Sequence, residues 1–331
     1  MLLAGDIGGT KSRLAIVAEG GTPGEFLAEE LLPSGSFGGI VPLLQTFLER
    51  NGGPVRKACL AVAGPVIGGR AAMPNLPWVA DAEQIRRAFG FRSVVLMNDL
   101  AATARSVPLL EPAELHALST GEPAAAGAIA VIAPGTGLGE AFLTRDGSRF
   151  REHASEGGHA DFAPTSPLEM DLLRELLQES EHVSYELLCS GPGFGRIYRF
   201  LRRRGTEEEP DRLAQRLAQA DDPAPVIVEA ALAGSSELCV RTVRLFVSLL
   251  GAEAGNLALK TLATGGVYLG GGIVPRIIPF FDEGGFLTAF KRKGRMAGLL
   301  DRIPVRAILT PRAALIGAAD RCLAEGESTG E

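Results

Sequence analysis

The sequence has few cysteines and no apolar stretch long enough to span a membrane. No two of the four cysteines (Cys59, Cys189, Cys239 and Cys322) stand at C-x-x-C spacing. Isolated thiols in apolar surroundings are typical of reduced, buried cysteines rather than of disulfides or a zinc site. No apolar run approaches the ~20 residues of a membrane-spanning helix. Met1 leads into a predicted strand without the basic segment of a signal peptide, so the sequence predicts a cytoplasmic protein.

The chain also lacks an excess of positive charge. Its 331 residues contain 33 Lys and Arg against 39 Asp and Glu, which gives a net charge of -6. Surfaces that bind nucleic acid are usually basic, so the composition argues against nucleic acid as a partner. The hydrophobic content of 46% and the 42 glycines are typical of an α/β enzyme long enough for two domains. No long linker or low-complexity segment interrupts it.

A glycine-rich segment near the start comes within one residue of a phosphate loop. Residues 5–12 read GDIGGTKS, and Thr10 stands where G-x-x-x-x-G-K-[ST] has its second glycine. A phosphate loop leads into a helix, whereas the following residues, RLAIV, predict a strand. The segment is therefore predicted to be strand, glycine turn, strand. Such a turn is either an ordinary hairpin or one whose backbone N–H groups approach a ligand.

The glycine hairpin recurs in the middle of the chain. Residues 127–144, GAIAVIAPGTGLGEAFLT, predict a strand, a turn at 135–139 and a second strand. Gly-Thr lies at the turn in both copies. The recurrence favours two similar α/β units in tandem over two independent hairpins.

Several helices are predicted from their caps and apolar spacing. Ile40 begins an apolar face that ends at Gly52, Asp81 and Gln84 form a capping box, and Ser166 precedes a proline at the first helical position. Residues 235–262 are predicted to be helical, as two helices broken near 251–255. A strand in IPVRAIL and a closing helix follow.

Asn98 and Asp99 are the most informative polar pair. They follow an apolar strand and precede a helix, so they lie where open α/β sheets bind ligands. The alternative is that Asp99 only caps the helix.

Two further clusters carry polar side chains beside glycines. Glu156 and His159 flank a glycine pair in EGGH, and Glu186 precedes the turn SGPG. His159 is either a ligand-binding or a structural histidine, and Glu186 is either a ligand-binding or an exposed helical carboxylate.

Six blocks of the sequence together resemble the bacterial glucokinases, which belong to the superfamily of hexokinase, actin and heat-shock ATPases. The blocks are GDIGGTKSRLAI, MNDLAATA, APGTGLGEAFL, EGGHADFAP, YELLCSGPG and GGVYLGGGIVPR. They stand in the family's order over nearly the whole chain.

The resemblance implies the actin-like ATPase fold, with two RNase H-like α/β domains and a ligand cleft between them. It implies a small domain of residues 1–107 plus 301–331 and a large domain of residues 108–300. Asp99 would be the general base that activates the sugar hydroxyl. The sugar would contact Asn75, Asn98, Asp99, Glu156, His159 and Glu186, with Trp78 nearby. ATP would contact Gly5, Asp6, Ile7, Gly8, Gly9, Thr10, Gly135, Thr136, Gly137, Gly265, Gly266 and Gly271.

The same resemblance implies ATP-dependent phosphorylation of glucose with Mg²⁺ held through the ATP phosphates, Asp6 ordering its waters. Lys11 either reaches a phosphate or is a solvated turn residue. A related group of sugar kinases and repressors has a zinc site in a C-x-C-G-x-x-G-C run, which this chain lacks. The family also implies a homodimer. A kinase for another hexose and a non-catalytic sugar sensor are the alternatives.

Overall fold

The computed structural model describes residues 1–73, 76–147, 149–205 and 209–324. The chain forms two compact units. The first contains Met1–Pro112, Ala141–Ala154 and Thr310–Glu331, and the second contains Ala113–Glu140 and Ser155–Leu309. These ranges differ from the predicted domains in two ways: residues 108–112 and 141–154 group with the first unit, and residues 301–309 group with the second. The second difference has a simple cause, because Val305–Ile308 is a strand of the second unit's sheet.

The strands are numbered along the chain. They are β1 Leu2–Ile7, β2 Lys11–Val17, β3 Ala28–Pro33, β4 Lys57–Val62, β5 Arg70–Ala72, β6 Val79–Asp81, β7 Ser93–Asn98, β8 Leu115–Ser119, β9 Ile129–Pro134, β10 Leu138–Asp146, β11 Arg149–Ser155, β12 Gly266–Leu269 and β13 Val305–Ile308.

The α-helices are numbered in the same way. They are α1 Ile40–Asn51, α2 Ala82–Phe89, α3 Asp99–Ser106, α4 Pro167–Leu176, α5 Tyr185–Leu188, α6 Gly191–Arg203, α7 Asp211–Gln219, α8 Pro223–Leu232, α9 Glu237–Thr261, α10 Ile278–Asp282, α11 Gly285–Lys291, α12 Ala297–Leu300 and α13 Ala313–Ala324. The predicted caps are confirmed, since Asp81 accepts from the N–H of Gln84 and Ser166 accepts from that of Glu169.

Two sheets share one strand order. The first is β3-β2-β1-β4-β7, and the second is β11-β10-β9-β12-β13 with β8 added at the edge. In the first, β1 is antiparallel to β2 and parallel to β4, which is parallel to β7. In the second, β12 is parallel to both β9 and β13. The prediction of two similar α/β units in tandem is confirmed.

Each face of the first sheet has its own core. Leu3 and Ile7 of β1 pack into one cluster with Phe47 of α1. Leu2 and Ala4 point to the opposite face and pack with residues of α3 and α13. This alternation follows from the two-residue period of a strand. The core of the second unit is a separate cluster built largely around α9.

The predicted break at residues 251–255 is wrong, because α9 is one continuous helix. Gly251 and Gly255 instead let α11 approach closely. A Cβ at Gly251 would overlap the carbonyl oxygen of Phe286, and one at Gly255 would lie 2.5 Å from that of Phe290. The glycines therefore serve close packing between α9 and α11, and α9 continues through them. Among the described residues, no helix is long and apolar enough to cross a membrane.

Candidate active site

The first glycine turn is a hairpin and not a phosphate loop, as predicted. Strands β1 and β2 pair antiparallel through the turn at residues 8–10. Ser34 fixes this turn, because its hydroxyl donates to the Gly8 carbonyl at 2.7 Å and its N–H donates to the Thr10 carbonyl at 3.0 Å. A Cβ at Gly8 would lie 2.8 Å from the Lys11 carbonyl oxygen, so the turn requires glycine there. Gly9 is partly exposed, and Thr10 and Lys11 are exposed.

Gly5 and Ile7 do not belong to the turn. Both lie within β1 and are buried, and each is paired with β2 on one side and β4 on the other. A Cβ at Gly5 would lie 2.7 Å from a methyl group of Leu60. The structure therefore gives Gly5 a packing role in the strand.

Asp6 and Asp99 come together at the carboxyl edge of the first sheet. Ile7, Val62 and Asn98 stand opposite one another at the ends of β1, β4 and β7. Asp6 is the residue before Ile7 in β1, and Asp99 is the residue after Asn98. The pKa of Asp6 is raised to about 7, mainly by burial and then by the negative charge of Asp99, against an opposing effect of Arg13. Such a pair favours binding of a cation or a proton.

Asn98, not Asp99, is the N-cap of α3. Its Oδ1 accepts from the N–H groups of Leu100 at 3.0 Å and Ala101 at 3.1 Å. Its Nδ2 donates to the Gly64 carbonyl at 3.2 Å, which leaves one amide hydrogen for a ligand. Asp99 Oδ1 also accepts from the Leu100 N–H, at 2.9 Å. Because Asn98 already caps the helix, capping alone does not explain an acid at Asp99.

The second hairpin joins β9 to β10 through residues 135–137. The N–H of Gly135 donates to the Gly137 carbonyl, and the N–H of Gly191 donates to the Gly135 carbonyl, both at 2.8 Å. Thr136 is exposed at the tip. Glu186 Oε2 accepts from the Leu138 N–H at 2.8 Å, immediately after the turn. The structure thus ties Glu186 to this hairpin, which contradicts the alternative of an exposed helical carboxylate.

Glu186 also lies beside the EGGH segment. His159 Nδ1 is 3.8 Å from Glu186 Oε1, and the His159 side chain is 60% exposed, so it is available to a ligand. Glu156 is exposed. A Cβ at Gly158 would overlap the Leu138 carbonyl oxygen, so the glycine pair lets this segment lie against β10. The hairpin, Glu186 and His159 therefore form one cluster.

A buried acid pair behind this cluster was missed by the sequence analysis. Glu140 of β10 and Glu253 of α9 are 2% and 0% exposed. Burial and, to a smaller extent, the charge of Glu253 raise the pKa of Glu140 to about 8. Burial also raises the pKa of Glu253, while Asn256 donates to its Oε2 at 2.8 Å. A Cβ at Gly157 would overlap Glu140 Oε2, so the pair supports the EGGH segment. An acid within the otherwise apolar first part of β10, residues 138–143, was the available signal.

The remaining predicted residues are dispersed. Gly271, with φ of 82°, follows β12 and lies against the Pro134 carbonyl oxygen, next to the second hairpin. Gly265 and Gly266 lie at the other end of β12, where Gly266 pairs with Ile129, so the structure does not bring them to the turn. Asn75 lies outside the described residues. Trp78 is 5% exposed within the core of the first unit. No group of three or more metal-ligating side chains occurs among the described residues.

Two sheets of equal strand order, each carrying a glycine hairpin, form the actin-like ATPase fold. The family model for glucokinase matches residues 3–325. A glucokinase from Nostoc punctiforme is 41% identical over 96% of this chain and 98% of its own length. The chain belongs to the glucokinase family.

Solved structures agree with this fold. The crystal structure of a glucokinase from an Antarctic psychrotroph has a TM-score of 0.83 and 35% identity, and covers 97% of this chain and 98% of that one. A ROK family glucokinase from Streptomyces griseus in complex with glucose and AMPPNP has a TM-score of 0.65 and 23% identity, with 97% and 98% covered. At that identity the second likeness concerns the fold alone.

Proposed function

We propose that this protein transfers the γ-phosphoryl group of ATP to the 6-hydroxyl of D-glucose, forming glucose 6-phosphate. The observation that carries the proposal is the position of Asp99, at the carboxyl edge of the first sheet beside Asp6 and one residue after the amide that caps α3. Family membership supports the choice of sugar and donor.

Asp99 is the proposed general base. A primary hydroxyl is a poor nucleophile, and its proton must leave as the phosphoryl group arrives. A carboxylate within ~3 Å of that oxygen orients it and accepts the proton late in the transfer. Asp6 lies beside it at the same edge of the sheet, and the negative charge of Asp99 contributes to the raised pKa of Asp6.

The two glycine turns are the proposed phosphate-binding elements, at Gly8–Thr10 and at Gly135–Gly137. Phosphoryl transfer requires mainly positioning and charge stabilisation, which backbone N–H groups of rigid turns supply. The residues present fit a Mg²⁺ ion, because two neighbouring carboxylates favour a cation and hard oxygen ligands suit it. Bound through the phosphates, Mg²⁺ would neutralise phosphate charge, with Asp6 ordering its water ligands.

Glu186 and His159, with Glu156 and Asn98, are the proposed partners of the sugar hydroxyls. Each hydroxyl both donates and accepts, and buried polar groups must be paired, so carboxylates, an amide and an imidazole suit this ligand. The proposal also includes a homodimer and a cytoplasmic location, which sedimentation and cell fractionation test.

A coupled assay with ATP, Mg²⁺ and a panel of hexoses tests the proposal. Glucose should give the highest kcat/KM, and the Asp99→Asn variant should lose turnover while still binding glucose. A preference for fructose, mannose or an N-acetylated amino sugar would change the substrate. Glucose binding without turnover in the unaltered protein would indicate a sensor instead of an enzyme.

A further inference from the structure

The first unit contains a large basic cavity that the proposed reaction does not use. Its volume is about 1210 Å³, and its charged lining has six basic and three acidic side chains. The basic ones are Lys57, Arg92, Arg105, Arg149, Arg151 and Arg321. The excess of positive charge contrasts with the net charge of -6 of the whole chain.

The cavity lies at the opposite end of the sheet from the candidate base. Lys57 begins β4 and stands opposite Ser93, which begins β7, and both line the cavity. Asn98 ends β7 opposite Val62, just before Asp99. Six residues of strand separate Lys57 from that edge by about 16 Å at the usual rise per residue. A ligand in the cavity would therefore not touch Asp99.

Two of the three acids are already engaged. Arg105 lies between them, with its Nη1 2.8 Å from Glu152 Oε2 and its Nε 2.6 Å from Asp320 Oδ2. The charges of Glu152 and Asp320 are therefore partly neutralised by Arg105. Asp146 is the third acidic residue of the lining, which also contains the other five basic side chains.

Lys57 is the most unusual of the basic residues. It is only 9% exposed, yet within the described part of the chain its ammonium group has no hydrogen bond or ion pair. A buried cation without a partner is costly, and an anionic ligand in the cavity would compensate that cost. Arginine guanidinium groups around it match phosphate oxygens in planar, bidentate geometry.

We infer that this cavity is a binding site for a phosphorylated small molecule, with the phosphate held between Lys57 and the arginines. The cavity is large enough for a phosphate monoester with an attached sugar, since ligand pockets commonly occupy about 300–1,000 Å³. The inference concerns binding alone and does not depend on the proposed reaction.

Isothermal titration of the full chain with inorganic phosphate and with glucose 6-phosphate tests this site. The unaltered protein should show saturable binding that weakens with ionic strength. Lys57→Met keeps the aliphatic part of the side chain and removes the ammonium group. It should lower the phosphate affinity of one class of sites at least ~10-fold, since loss of a hydrogen bond to a charged group has an effect of that order. Tighter binding of glucose 6-phosphate than of phosphate would indicate that the sugar also occupies the cavity.

Two further variants complete the test. Arg321→Gln, at a partly exposed position, should weaken the same class of sites and keeps the test valid if Lys57→Met does not fold. Arg212→Gln removes an exposed arginine of α7 in the other unit and should bind like the unaltered protein. The inference is overturned if the isotherms of the unaltered protein, Lys57→Met and Arg321→Gln superimpose. It is also overturned if Arg212→Gln loses as much affinity as the cavity variants, or if neither phosphate nor glucose 6-phosphate gives saturable binding.

Discussion

The two glycine hairpins occupy equivalent positions in two sheets of the same strand order, yet their surroundings differ. The first has acids at the carboxyl edge beside it, with Asp6 on its own strand and Asp99 after β7. The second has Glu186 bonded to the N–H that follows the turn, with His159 beside it. One strand order thus carries two different sets of polar side chains beside its hairpins. We assign catalysis to the first surroundings and sugar recognition to the second.

The largest expected effect comes from Asp99→Asn in the first surroundings. Asparagine keeps the shape but cannot accept a proton, and loss of a general base typically lowers turnover by ~10²–10⁴-fold. Glucose binding and melting temperature should stay near those of the unaltered protein, because Asn98 caps α3. Steady-state kinetics, calorimetry and thermal denaturation measure the three quantities.

A matched control separates catalysis from capping. Asn98→Asp retains a capping acceptor, since aspartate caps as well as asparagine, and it keeps Asp99. Its melting temperature should fall only through the lost bond from Nδ2 to the Gly64 carbonyl, and its turnover should exceed that of Asp99→Asn. Near-normal turnover of Asp99→Asn would remove Asp99 as the base.

Glu186→Ala tests the proposed role of the residues around the second hairpin in sugar recognition. It leaves the Leu138 N–H without its partner and removes an acceptor for the sugar, so we expect the KM for glucose to rise by ~10–100-fold. The KM for ATP should change less. Glu181→Ala, at an exposed position nearby in the chain, is the control and should behave like the unaltered protein. An unchanged glucose KM in Glu186→Ala would exclude Glu186 from the sugar site.

Two alanine substitutions in one turn sharpen the comparison further. A Cβ at Gly137 would overlap Glu186 Oε2, so Gly137→Ala should displace that carboxylate and weaken glucose binding by about 10-fold, within the range of one lost hydrogen bond. A Cβ at Gly135 would meet nothing within 4 Å, so Gly135→Ala should fold normally. If the ATP phosphates lie against this turn, Gly135→Ala should raise the KM for ATP and not that for glucose. Equal effects of both variants on both substrates would contradict the assignment.

The last expected effect is a pH dependence of stability that comes from Glu140 in the second unit. The pKa of Glu140 is about 8 in the folded chain against an ordinary value of 4.5, so folding binds a proton between these values. Stability should therefore fall as pH rises through this window, by at most about 1.4 kcal/mol per pH unit for one proton. Glu140→Gln mimics the protonated acid and lacks this dependence. The melting temperature of Glu140→Gln minus that of the unaltered protein should therefore increase from pH 5 to pH 8. If this difference is the same at every pH, the burial argument is wrong.

Features that depend on residues close together in the sequence were predicted correctly. The strand after GDIGGTKS excluded a phosphate loop, and the repeated Gly-Thr turn indicated two like units, because hairpins are determined by their turn and flanking pattern. Asn98 and Asp99 were placed correctly at a strand end. Which of the two caps α3 was not predictable, because both residue types cap equally well.

Contacts between distant parts of the chain were not predictable in the same way. Gly251 and Gly255 looked like helix breaks because their packing partner, α11, lies much later in the sequence. The bond from the Leu138 N–H to Glu186 and the pairing of Glu140 with Glu253 depend on the folded arrangement of separate elements. The tryptophan expected near the sugar belongs to the core of the first unit.

The position of that tryptophan gives the molecule a built-in pair of optical reporters. Trp78 is the chain's single tryptophan and lies in the core of the first unit, whereas all three tyrosines, Tyr185, Tyr198 and Tyr268, lie in the second. Excitation at long wavelength selects the indole, so the red shift of its emission on denaturation follows the first unit alone. Near-ultraviolet absorbance of the phenols follows the second. The unlabelled protein therefore reveals whether its two halves melt together or in sequence.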